Sequence, residues 1–308
     1  MQRCTVKALL GIVLLVALSV SGAGCLPVDC ADSDAYCKPD VGFLLYTSLA
    51  PSQASRVYWA RANTPQAIVR ANVDGTNLQV IGGVYANGPA GLLVDSVAGL
   101  LYYTQDSDSG IRRANLDGSN DILFTSDATA SSTVGLVLDR ARNRLYWFND
   151  SFQLHYVNLS DGSGQTLVRT FASDAETGAY DPVANLWYVS GSTLLRSMPD
   201  DGSSDASLDN TYGNIVDTEL APDDRLFVTD IGPAGVFRTN RDGTGRSAVV
   251  SGFIPTGVGY DSVADRLYIC DVTNSRIMTA GSDGSNLSTL ITDTAGSQPA
   301  GCALEFSN

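Results

Sequence analysis

Ile111-Arg-Arg-Ala-Asn-Leu-Asp117-Gly118, preceded by Leu101-Tyr102-Tyr103-Thr104, is one copy of a pattern that runs the length of the chain. Asp-Gly returns at Asp74-Gly75, Asp117-Gly118, Asp161-Gly162, Asp201-Gly202, Asp242-Gly243 and Asp283-Gly284, in steps of 43, 44, 40, 41 and 41 residues. An aromatic or apolar pair keeps step with it: Tyr58-Trp59, Tyr102-Tyr103, Tyr146-Trp147, Trp187-Tyr188, Phe227-Val228 and Tyr268-Ile269. The first residue of each pair lies 14 to 16 positions before its Asp-Gly. Two unlike markers sharing one period six times define an internal repeat, and a unit of about 40 residues suits the blade of a β-propeller.

The unit around Asp117 supplies the physics of one blade. Gly91-Leu-Leu-Val-Asp95 is a continuous apolar run, as expected of an innermost strand buried on both faces. Ser96 to Gly99 reads as a polar turn, and Leu100 to Thr104 as a second strand whose aromatics suit a pleated surface. After the polar loop Gln105 to Gly110, Ile111 to Leu116 alternates as a half-buried strand does. Asp117-Gly118 then reads as a hairpin, because glycine accepts the positive φ of tight turns. Asp121 to Ser126 completes a four-stranded meander.

The same reading fits Gly135–Asp139 with Leu145–Phe148, Gly178–Asp181 with Leu186–Val189, and Gly257–Asp261 with Leu267–Cys270. In one unit Val216 to Leu220 stands in for the inner strand. No helix-period segment follows the N-terminal run. The expectation is an all-β, six-bladed propeller of four-stranded antiparallel blades over residues 42–308.

The ends suggest how the ring closes. Pro299-Ala-Gly-Cys-Ala-Leu-Glu305 parallels Pro89-Ala-Gly-Leu-Leu-Val-Asp95, so the last residues read as an inner strand joined to the three outer strands of the N-terminal unit. That removes two open edges. Gly42-Phe-Leu-Leu-Tyr-Thr47 also reads as a strand and competes for that inner place. The C-terminal strand is favoured, because an over-long connection separates Thr47 from Tyr58.

Residues 1–24 have the form of an export signal: Arg3 and Lys7, an apolar run from Ala8 to Val20, then small residues. Ser21-Gly-Ala-Gly24-Cys25 resembles a bacterial lipobox, with Cys25 the lipidated first residue of the mature chain and Gly22 in place of the usual leucine. Plain secretion is the alternative. Residues 25–41 then form a lipidated acidic linker, where Cys30 and Cys37 could close a small disulfide loop. Cys270 and Cys302 could be bonded if their Cα atoms lie within about 7 Å, or could be two buried thiols; the spacing leaves both open.

From Tyr-Trp/Tyr to Ile-x-Arg-x-Asn-x-Asp-Gly the repeat resembles the YWTD (class B) repeat of the low-density lipoprotein receptor family, a six-bladed propeller. The best matches are Arg144-Leu-Tyr-Trp147, Asp139, and Ile68 to Gly75 with Ile111 to Gly118. In that family the last Asp of the motif braces neighbouring blades. Arg61, Gln105, Asn149, Ser190, Asp230 and Asp271 hold its place here, so two of the six keep it. The resemblance implies a rigid disc used for binding.

A formal net charge of −14 excludes a phosphate-binding surface for nucleic acid and an electrostatic anchor on anionic lipid. Any membrane contact is therefore expected only through the lipid anchor at Cys25. His155 is the only histidine, and a packing role in its strand is the leading reading. No nucleophile elbow, Walker loop or dinucleotide fingerprint stands in a usable context. Asn149 is a candidate ligand contact, and Asp106, Asp108, Asp150, Asp230 and Asp271 lie in or at the start of loops after the second strands, where oxygen ligands from several blades could hold calcium. Otherwise they form a solvated acidic rim. Tyr85, Phe152, Phe171, Tyr212 and Phe253 are expected as exposed aromatics on the same face, suited to a protein, peptide or glycan. The leading expectation is a monomeric, non-catalytic binding or scaffold propeller tethered to the bacterial cell envelope. A calcium-dependent hydrolase or lactonase, and a structural subunit of an envelope assembly, are the alternatives.

Overall fold

Each repeat folds as the meander its pattern demands. The computed structural model describes residues 53–307, except 64, 83–87, 106–108, 128–131 and 295. The expected signal, Cys25, Cys30, Cys37, the strand-like Gly42–Thr47, Tyr85, Asp106 and Asp108 lie outside the described residues.

Among the described residues, twenty-four strands form six four-stranded antiparallel sheets. Blade 1 contains β1 (Ala54–Arg61), β2 (Ala67–Asn72) and β3 (Gln79–Ile81). Blade 2 is β4 (Pro89–Asp95), β5 (Leu100–Gln105), β6 (Gly110–Asn115) and β7 (Ile122–Ser126). Blade 3 is β8 (Thr133–Asp139), β9 (Arg144–Asn149), β10 (Gln153–Asn158) and β11 (Thr166–Thr170). Blade 4 is β12 (Thr177–Asp181), β13 (Leu186–Gly191), β14 (Leu194–Pro199) and β15 (Ala206–Asp209). Blade 5 is β16 (Ile215–Leu220), β17 (Arg225–Asp230), β18 (Gly235–Asn240) and β19 (Ser247–Ser251). Blade 6 is β20 (Pro255–Asp261), β21 (Arg266–Asp271), β22 (Arg276–Gly281) and β23 (Ser288–Thr292). The chain is thus a six-bladed β-propeller.

The last strand, β24 (Pro299–Phe306), supplies the inner strand of blade 1. It runs antiparallel to β1, with Val57 opposite Leu304 and Tyr58 opposite Ala303. The favoured closure is the observed one. Cys270 of β21 and Cys302 of β24 are joined by a disulfide that ties the closing strand to blade 6, with Cα atoms 5.8 Å apart. Of the two readings left open for that pair, the free-thiol one falls away.

The apolar core is split into six clusters, each wedged between neighbouring blades. Trp59 and Leu304 of blade 1 meet Tyr268 and Ile277 of blade 6. Tyr102 and Phe124 of blade 2 meet Trp147 and Val157 of blade 3, and the other four seams are built likewise. Trp59, Trp147 and Trp187 are wholly buried, and each contributes roughly 4–6 kcal/mol of gross hydrophobic stabilisation.

The Asp-Gly turns do more than reverse the chain. Each Asp carboxylate accepts the N–H two residues on, as Asp117 does from Ser119 at 2.9 Å. Each turn also rests on the outer strand of the preceding blade. A Cβ on Gly284 would lie 2.2 Å from the Val249 carbonyl, and one on Gly162 would lie 2.3 Å from that of Phe124. Gly75, Gly118, Gly202 and Gly243 meet the blade before them in the same way. Glycine is therefore required twice over, by its positive φ and by the lack of room.

Candidate functional site

Alternation of strand direction sorts the connections into two faces. Turns joining first to second and third to fourth strands emerge on one, here called the turn face. The second-to-third loops and the links between blades emerge on the other, the loop face. The candidate ligand-binding residues that are described, Asn149, Asp150, Phe152, Tyr212, Asp230, Phe253 and Asp271, belong to the loop face.

There the polar candidates are spent on their own loops. The Asn149 Oδ1 accepts the N–H groups of Ser151 and Gln153, each at 3.0 Å. Asp230 accepts those of Gly213 at 2.8 Å, Asn214 at 2.7 Å and Gly232 at 3.0 Å, pinning the link that enters its blade. Asp271 accepts the Thr273 N–H at 2.9 Å and the Arg276 Nε at 2.6 Å. All three side chains are buried. Asp150 is exposed. Among the described residues no group of three or more His, Cys, Asp or Glu is arranged to hold a metal ion.

The expected display of aromatics needs correction. Phe171, Tyr212 and Phe253 are 4%, 3% and 4% exposed. Phe253 sits in the seam between blades 5 and 6, and Phe171, with half-buried Phe152 against it, in that between blades 3 and 4. Tyr212 lies beneath Arg246, whose guanidinium carbon is 3.8 Å from the ring centroid. A link leaving an outer strand must cross to the next inner strand, and burying an aromatic along the way fixes its path. These three rings serve the seams.

Two seams share a polar brace. Where blade 6 meets blade 1, Asp293 accepts the Trp59 indole N–H at 2.7 Å and the Arg61 Nε at 2.9 Å. Burial alone would raise the Asp293 carboxyl, yet the bonds from Arg61 and Trp59 hold it below its usual range. Where blade 2 meets blade 3, Asp127 accepts the Trp147 indole N–H at 2.9 Å. Asn149 stands there in place of Arg61, donating to Asp127 at 2.9 Å. His155 stacks on Trp147, ring centroids 5.4 Å apart, and its pKa is lowered by burial against a partial opposing pull from Asp127. His155 is a packed seam residue.

The inner strands β4, β8, β12, β16, β20 and β24 line a central cavity of about 570 Å³. Its charged lining groups are Glu176, Asp217 and Glu219, with no Lys or Arg among the lining residues. Asp217 accepts the Val258 N–H at 2.9 Å on one oxygen and the Thr218 N–H at 2.8 Å on the other. Glu219 accepts the Tyr260 N–H. Both see the lumen but are ringed by protein. Burial pushes Asp217 to about 6, against the pull of its two N–H bonds. Burial first, then the neighbouring Asp217, pushes Glu219 to about 8. Glu176 is raised by burial and by Asp174. None of the three was singled out from the sequence, although a signal existed: Asp217 stands where β4, β8, β12 and β20 carry Gly91, Gly135, Gly178 and Gly257.

No family model matches the chain, and no curated protein matches it in sequence. Its fold is that of solved propellers. The structure of a nidogen/laminin complex superposes with a TM-score of 0.71 at 17% identity, covering 82% of this chain and 98% of that one. TolB from Acinetobacter baumannii gives 0.66 at 11% identity, over 84% of this chain and 69% of that one. A protein of unknown function from Bacteroides thetaiotaomicron VPI-5482 gives 0.58 at 12% identity, over 71% and 67%. At these identities the likeness is one of fold.

Proposed function

We propose that this chain is an exported, membrane-tethered binding propeller of the YWTD type, held through Cys25 and offering its loop face to a protein partner. The observation that carries this reading is where the described chain enters the ring. The Ala54 N–H donates to Asp261 Oδ2 at 2.9 Å, and the Ser307 N–H to the Gln53 carbonyl at 3.4 Å. Asp261 ends an inner strand at the turn face, so the described chain begins on that side, opposite the loop face. A protein partner is supported by the rigid seams, which fix the loops at little entropic cost on binding. The laminin-bound nidogen propeller is a further support, because a disc of the same fold is seen there in a protein complex.

The test uses the full chain in a bacterium that processes lipoproteins. Cys25→Ala should move the protein from the membrane fraction to the soluble one. A photo-crosslinker at Asp150, exposed on the loop face, should capture a partner. The same group at Val183, 90% exposed on the turn face, should not. Membrane retention of Cys25→Ala would sink the tether, and capture from Val183 alone would sink the orientation.

A further inference from the structure

The six inner strands perform one structural task, so five of them act as an internal control for the sixth. In β20, Gly257 faces Cys270, and in β12 Gly178 faces Val189; at the matching place in β16, Asp217 faces Thr229. Two residues further on, Leu93, Val137, Tyr180, Gly259 and Ala303 face the leading aromatic of their second strands, whereas β16 has Glu219 facing Phe227. The ring is therefore built five times without a carboxylate at the Glu219 position. Blade geometry does not call for these two acids.

Their setting disfavours them as ornaments of the fold. Enclosing carboxylates without a cation is among the more destabilising things a protein can do. Both accept an N–H from β20, which serves the seam between blades 5 and 6. Glu219→Gln would offer a carbonyl acceptor uncharged, and Asp217→Asn would keep the Val258 bond on its one carbonyl oxygen while losing that from Thr218. The seam uses the oxygens and has no use for the charge. Glu176, just ahead of the adjacent inner strand, adds a third carboxyl group lining the same cavity.

We propose that the central channel is a binding site for a primary alkylammonium group, with the charge held by Glu219 beside Asp217 and the alkyl stem laid along the apolar wall. A divalent metal fits poorly, because both oxygens of Asp217 are already engaged and calcium takes roughly six to eight oxygen ligands. A guanidinium wants a carboxylate open on both oxygens for its planar fork, and both oxygens of Asp217 are engaged. An ammonium is a compact charge on a flexible apolar stem, matching scattered single acceptors beside Val258 and Leu220. The cavity of about 570 Å³ is in the range of small-ligand pockets. The ammonium could belong to a free amine or to a lysine side chain of a partner. This site depends neither on the tether nor on the loop-face partner.

Isothermal titration of the full chain tests it, with n-butylammonium and with an N-acetylated decapeptide carrying one lysine. At least one probe should bind saturably at pH 7, weakened at least about tenfold in Glu219→Gln. That variant should melt no lower than wild type, so loss of binding is not loss of fold. Binding at pH 7 should release up to about one proton, since the empty-site Glu219 is largely protonated and the cation ionises it. Butylammonium binding as tightly as the peptide assigns the site to free amines; peptide binding about tenfold tighter or more assigns it to a partner's lysine. The proposal is overturned if neither probe saturates below roughly 10 mM. Equal binding of n-butanol, or an undiminished Glu219→Gln, overturns it as well.

Discussion

Replacing Gly284 by alanine should damage the ring at a seam, and the loss can be divided into two parts. The residue has φ +87°, and an added Cβ would lie 2.2 Å from the Val249 carbonyl of blade 5. Left-handed backbone costs an L-residue about 1–2 kcal/mol. Displacing the neighbouring strand to admit a methyl costs about 1–3 kcal/mol more, for a sum of about 2–5 kcal/mol. Gly99→Ala is the control: φ is +67° there, and no heavy atom lies within 4 Å of the added Cβ. It should carry only the backbone part, and the entropy change in the unfolded chain is common to both variants. Thermal unfolding followed by circular dichroism reads the difference. At about 2–4 °C per kcal/mol for a domain of this size, Gly99→Ala should lower Tm by about 2–8 °C. Gly284→Ala should fall a further 2–12 °C or so. Equal losses in the two variants would refute the idea that the Asp-Gly turns are contacts between blades.

Two further outcomes follow from the buried charges. Asp293→Asn strands the Arg61 guanidinium in the seam between blades 6 and 1 and should cost about 3–5 kcal/mol in urea unfolding; pairing it with Arg61→Met should recover most of that loss, and no recovery would mean that the pair is not the source. For Glu219 the folded-state pKa lies above the unfolded one, so the fold favours the protonated form. Its penalty is absent below about pH 4 and grows as pH rises toward 8. Glu219→Gln should accordingly raise Tm at pH 8 and leave it nearly unchanged at pH 4, and a pH-independent effect would contradict the assignment.

The repeat made the architecture legible because hairpins and apolar inner strands are local matters, written within each unit. Even the closure by Pro299–Phe306 could be read, since it copies Pro89–Asp95. What lay between blades was harder. Gly118 reads as a turn residue, and nothing near it in sequence reveals that Ile81 and Gly82 press against it. Tyr212 and Phe253 read as loop aromatics, yet the wall that buries them comes from the adjoining blade. Asp230 and Asp271 were noticed as acids and proved to be loop braces. Asp217 and Glu219 were passed over because their strand looked like a weak copy. A repeat read for what its units share hides the positions where one unit departs, and there the channel acquired its charge.

The strand that completes blade 1 follows every other described strand in the chain. Gln53 and Ser307, bonded beside each other, are 254 residues apart in the chain, while β4 to β23 pair only with near neighbours. Five blades can therefore form as the chain emerges, leaving an open arc whose first blade has three strands and a bare edge at β1. Joining the ends has the slow, entropically demanding character of a long-range contact, and until then that edge is open to pairing with other chains. The Cys270–Cys302 bond lies on one side of this join, tying β24 to β21 of blade 6. In an oxidising compartment it fixes the closing strand against blade 6, so that β24 waits in place for β1 while the closure itself rests on strand pairing.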